Sequence, residues 1–99
     1  MKAHTKLYFN YFNIAYDPAT GWHDYIACEY CGKEAVDIHH IDGRGKEKDI
    51  IENLIALCRD CHIKAHEVKR LDIRLPKEVL TMLHLANLKT VNKNQDDTH

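Results

Sequence analysis

Apolar side chains near the start of the chain recur at helical intervals. Leu7, Tyr8, Tyr11, Phe12 and Ala15 share a face, which predicts a short amphipathic helix over residues 5–16. Asp17-Pro18-Ala19-Thr20-Gly21 reads as a turn, and Gly32 in Cys31-Gly32-Lys33 suits a positive φ in a tight knuckle. From Ala35 to Ile41 the residues are β-prone and alternate, which predicts a strand with Val36, Ile38 and His40 on one side. Asp42-Gly43-Arg44-Gly45-Lys46 breaks that strand and opens a polar loop through Asp49. Ile50 to Leu57 is apolar, a helical turn followed by a second short strand. The next helix is expected to run to about Leu71, with Asp60 favourably placed in its first turn. Pro76 starts a last helix, whose stripe of Val79, Leu80, Leu83 and Ala86 or Asn87 is packing surface. These elements predict a small α+β fold with an N-terminal helical arm (1–27), a central domain (28–71), a C-terminal helix (72–91) and a polar, flexible tail (92–99).

Composition narrows the class. With 99 residues, 44% hydrophobic and 29% charged, the chain has the balance of a globular protein and a thin core. Its longest apolar run, Leu54 to Cys58, is far shorter than the roughly twenty residues of a membrane span. The first ten residues lack the apolar stretch of a secretory signal, so a cytoplasmic protein is expected. Net charge is −1; residues 43–91 hold ten basic against seven acidic side chains, a weak basic bias that decides nothing about nucleic acid.

Four cysteines and eight histidines are the unusual feature. Cys28-Glu29-Tyr30-Cys31 and Cys58-Arg59-Asp60-Cys61 repeat one spacing across 26 intervening residues. In a reducing compartment, paired C-x-x-C units hold one tetrahedral structural Zn2+ rather than disulfides. His62 and His66, four apart, share a helix face, whereas His62 points about 100° away from Cys61 and toward another site. His39 and His40 end the first strand beside this helix. Because successive strand residues face opposite ways, the two meet one site only if the strand ends there or if they approach a substrate from two sides.

Cys28-x-x-Cys31, Asp37-Ile38-His39-His40-Ile41, Glu52-Asn53-Leu54, Leu57-Cys58-x-x-Cys61-His62 and His66, in this order, resemble the HNH endonuclease family. The aromatic and Gly-Arg-Gly flanks are similar to the small stand-alone HNH proteins of phages and prophages. The resemblance implies a ββα-metal core stapled by the four-cysteine zinc. It implies a metal-dependent endonuclease that nicks or cuts double-stranded DNA, leaving 5′-phosphate and 3′-hydroxyl ends. In its terms His40 is the general base and Asn53 braces the loop and orients that base. His39, His62 and His66 hold a catalytic divalent ion: Mg2+, Mn2+, Ni2+ or Zn2+. A protein for targeting or packaging, a homodimer and a host-cell cytoplasm are compatible with the family. The alternative is a non-catalytic zinc-binding module that docks nucleic acid or protein.

Outside the resemblance, Arg44 is a candidate phosphate contact or an exposed loop residue. Asp37 and Asp42 either orient an imidazole or face solvent and are assigned no role, and Lys64, Lys69 and Arg70 either track a DNA backbone or solvate their helix. His4, His23, His84 and His99 are expected at the surface, and Trp22 and Tyr25 are expected to pack.

Overall fold

The computed structural model describes residues 1–96. It contains α1 (Ala3–Tyr11), β1 (Asp37–His40), β2 (Leu54–Leu57), α2 (Arg59–His66) and α3 (Lys77–Asp96), with single 3₁₀ turns at Lys46–Lys48 and Ile51–Asn53. The class is the small α+β fold expected, with one antiparallel pair of strands.

The hairpin organises everything else. Its register sets Asp37 opposite Leu57, Ile38 opposite Ala56, His39 opposite Ile55 and His40 opposite Leu54. All four residues of β2 are buried, because both faces of this short sheet are covered. On one face Ile55 and Leu57 join the cysteines, Leu75 and Leu80; on the other, Leu54 and Ala56 meet Tyr8 and Phe9 of α1 and Ile26 and Ala35. Opposed residues of an antiparallel pair share a face. Asp37 and His39 are therefore turned toward α2, and Ile38 and His40 toward α1. Val36 lies outside the strand and is exposed, so it does not share the packing of Ile38 as expected.

Two helices stop earlier than their periodicity suggests. The first ends at Tyr11 rather than 16, because Asn13 adopts φ 58° and Ile14 N–H donates to the Phe9 carbonyl at 2.8 Å, a Schellman ending. In α2 the helix ends at His66 rather than near Leu71. There the Glu67 carboxylate accepts from the N–H groups of Val68 and Lys69, and Leu75 N–H takes the Lys64 carbonyl. Side chain and loop supply the bonds a further turn would have made. In α3 the buried stripe is Leu80, His84 and Leu88, and the helix continues to Asp96; of the polar tail, residues 97–99 lie outside the described residues, His99 among them.

His84 and the knuckle correct the surface expectation. His84 is fully buried between Glu29 and the Ile51 carbonyl. Glu29 also accepts from Tyr8 Oη at 2.6 Å and from Asn87 Nδ2 at 2.8 Å, and its N–H donates to Ala56. One carboxylate thus ties the first knuckle to α1, α3 and β2. Burial opposes ionisation of both groups. The Glu29 hydrogen bond and charge nevertheless hold His84 above its usual pKa, and the reciprocal contacts hold Glu29 below its own. Trp22 and Tyr25, expected to pack, are instead 56% and 63% exposed.

Candidate metal centre and its histidine cavity

Cys58 caps α2: its sulfur accepts from Cys61 N–H at 3.4 Å, and its carbonyl accepts from His62 N–H. That capping turn sets Cys58 and Cys61 on one side of the helix start, facing the knuckle that carries Cys28 and Cys31. All four sulfurs lie within 4.8 Å of one another, the pair Cys31–Cys58 at 3.5 Å. Zn–S bonds of about 2.3 Å place tetrahedral sulfurs roughly 3.8 Å apart, so the cluster is compatible with zinc. The thiols are free of disulfides. Burial resists ionisation of Cys28, but the backbone around Cys31, Cys58 and Tyr30 brings its pKa to about 7. Burial and the neighbouring sulfurs push Cys61 upward instead. A cation that displaces the remaining protons fits this donor set.

The next residue on α2 belongs to a different group, as the helical angle requires. His62 and His66 converge with His39, ring centroids 4.7–5.0 Å apart. Their ligand atoms lie within 4.8 Å of one another. Asp37, two residues before His39 and on the same face of β1, accepts from His62 Nδ1 at 2.9 Å. A carboxylate only accepts, so His62 carries its proton on Nδ1 and turns the lone pair of Nε2 outward. His66 Nε2 lies 3.0 Å from that atom and supplies the proton between them. Nitrogens bound to one ion at about 2.0–2.1 Å sit roughly 3 Å apart when adjacent, so a divalent cation fits in that proton's place. Burial, then the charges of His62 and His66, push His39 down to about 4, which leaves it a neutral donor at neutral pH.

His40 faces the other way. Its Nε2 donates to Asp49 Oδ1 at 2.7 Å, and its ring lies 4.5 Å from that of His4 on α1. With the proton held on Nε2, the lone pair is on Nδ1, which meets no hydrogen-bonding partner among the described residues. Asp49 stands at the end of the glycine-bearing loop, and Asn53 holds that loop. Asn53 accepts from Asp42 N–H at 2.8 Å and donates to the carbonyls of Gly43 and Lys48. Arg44 is exposed at the loop and has no carboxylate partner among the described residues. His4, His39, His40, Arg44, His62 and His66 all line one cavity of about 520 Å³. The two faces of the strand therefore reach a single space from two sides.

Sequence reasoning named Asp37 as able to orient an imidazole but gave it no role, and it missed Asp49 and His4. The parity of the strand could have paired Asp37 with His39. Asp49 and His4 carry no periodic signal.

Residues 28–67 match the HNH endonuclease family. The HNH segment spans both cysteine knuckles, the hairpin and α2, and the match supports a nuclease of HNH type that binds a metal ion. Comparisons with curated proteins and with solved structures give no match. Among the described residues no helix is long and apolar enough to cross a membrane.

Proposed function

We propose that the protein is a metal-dependent endonuclease hydrolysing phosphodiester bonds in double-stranded DNA. The observation that carries this reading is the convergence of two unlike histidine groups on one cavity. One group of three aims ligating nitrogens at a common point, while His40 beside it keeps a lone pair and a carboxylate partner.

On this reading His39, His62 and His66 hold the divalent ion, Mg2+, Mn2+, Ni2+ or Zn2+, and the four cysteines hold the structural Zn2+. When bound, the catalytic ion supplies positive charge to a phosphate oxygen and to the departing oxygen. His40 Nδ1 accepts a proton from the water that attacks phosphorus, and Asp49 stabilises the imidazolium that results. The P–O3′ bond breaks, leaving a 5′-phosphate and, after protonation, a 3′-hydroxyl. Asn53 acts as a positioning residue, keeping the loop and hence Asp49 in place. Arg44, exposed and uncompensated, donates to a phosphate oxygen. Free thiols holding zinc suit a reducing compartment such as the cytoplasm.

The test is plasmid nicking by the full chain with each of the four metals added. His40→Ala retains fold and metal content but nicks about 10²–10⁴-fold more slowly, the scale of general-base removal. Equal rates in the variant would remove His40 from the base role. No nicking with any metal, together with zinc in the cysteine cluster alone, would favour a non-catalytic docking module.

A further inference from the structure

We propose that His4, His40 and Asp49 form a second divalent transition-metal site where His4 and His40 border the cavity, and that its occupation by zinc takes His40 out of use as a base. The site itself stands on geometry alone; its inhibitory consequence rests on the nuclease reading.

Three elements meet there. Strand parity turns His40 toward α1, the first turn of α1 presents His4 to it, and the loop braced by Asn53 returns Asp49 to the same point. One ligand atom from each residue lies within 4.8 Å of the others. Two imidazoles and a carboxylate are donors that zinc, cobalt and nickel accept, whereas Mg2+ prefers oxygen ligands and water. The rings of His4 and His40 lie 4.5 Å apart, tilted by 54° rather than stacked flat. The packing of α1 rests on Tyr8 and Phe9, a full turn or more beyond His4, so the core does not demand a histidine at this position. His84 differs: both of its nitrogens are filled by protein acceptors, Glu29 and the Ile51 carbonyl, which leaves no valence for a metal. His4 and His40 instead line the cavity, and only one His40 nitrogen is engaged, by Asp49. A cation shared by His40 and Asp49 replaces the proton on Nε2, so the neutral ring carries its proton on Nδ1 and offers no lone pair there for proton abstraction.

The zinc content of the full chain, followed by calorimetric titration and native mass spectrometry, tests the site. Wild type is expected to bind three zinc ions, one in each His/Cys/Asp group. His4→Gln and Asp49→Asn are each expected to bind two, with the cysteine and His39–His62–His66 groups still filled. Saturation of wild type at two, or three ions in both variants, would overturn the proposal. In plasmid nicking at fixed Mn2+, raising zinc past two equivalents should lower the wild-type rate at least about tenfold once the site is nine-tenths filled. His4→Gln should keep its basal rate over the same range. Equal inhibition of both proteins would place zinc's effect at His39–His62–His66 and overturn the switch. If wild type fails to nick whichever metal is added, the nuclease reading fails, while the ion count still decides the site.

Discussion

Among the described residues, three imidazoles share a hydrogen bond with a carboxylate, and what lies at the second ring nitrogen separates their fates. His84 sits against Glu29 with its other nitrogen 2.6 Å from the Ile51 carbonyl, wholly enclosed. His62 and His40 are held just as closely, by Asp37 and Asp49, but their rings border the cavity. Where both nitrogens find protein acceptors the ring carries two protons, and the pair is a fastener. Where only one does, the carboxylate fixes the tautomer and leaves a lone pair for a metal or a proton. The same two residue types thus serve stability or chemistry according to one further contact.

The cysteine cluster should dominate any attempt to disturb this division, because it holds both regions in register. Structural zinc contributes about 10–16 kcal/mol in small peptides, against total domain stabilities of about 5–15 kcal/mol. Chelation, or Cys58→Ser, is therefore expected to abolish cooperative unfolding. The check is a thermal melt by circular dichroism on samples of measured zinc content. A cooperative melt in a zinc-free sample would show that the hairpin and the Glu29–His84 fastener suffice alone.

Breaking the fastener ranks next. His84→Ala leaves the Glu29 carboxylate buried with only neutral donors, and removal of one member of a buried pair costs about 3–5 kcal/mol. Urea unfolding of the zinc-loaded variant measures this, and nicking per folded molecule should be unchanged. The raised pKa of His84 gives the pair a pH signature as well. A group whose folded pKa lies above 6.5 contributes fully below 6.5 and loses that contribution as pH rises through the folded value. The groups facing His84 are Glu29 and, more distantly, Glu52 and Tyr8; Tyr8 is driven far up by burial and Glu29, and so stays neutral. The stability gap between wild type and His84→Gln should accordingly narrow above pH 6.5. A gap that widens there would mean the ring is neutral when folded.

How much of this was legible follows from where each signal resides. The cysteine spacing and the interval between His62 and His66 are local, so the chain displays them directly. The alternation of a strand also announced that His39 and His40 face apart, and the structure resolves that by giving both faces access to one cavity. The partners were hidden. Asp49 is nine residues from His40 through a loop without period, and His84 is 55 residues from Glu29. A histidine inside an apolar helical stripe reads as a solvated residue until its buried carboxylate is known. Helix ends were lost for a related reason: Asn13 and Glu67 stop their helices through hydrogen bonds that compete with the periodic pattern.

The smallest expected effect is also the sharpest test of the contrast. Asp37→Asn preserves shape and keeps an acceptor near His62 Nδ1, but removes the charge that makes Nε2 a better donor. Loss of such an outer partner typically lowers metal affinity 10–100-fold, about 1.4–2.8 kcal/mol. Folding should hardly respond, because Asp37 is half exposed and its contact lies at the cavity rather than in the core. Calorimetric titration of the zinc-loaded protein with Ni2+ or Mn2+ should show the weakened site, and urea unfolding should show stability near wild type. The opposite pattern, lost stability with intact affinity, would make His62–Asp37 a fastener like His84–Glu29, and the distinction drawn from the second nitrogen would fail.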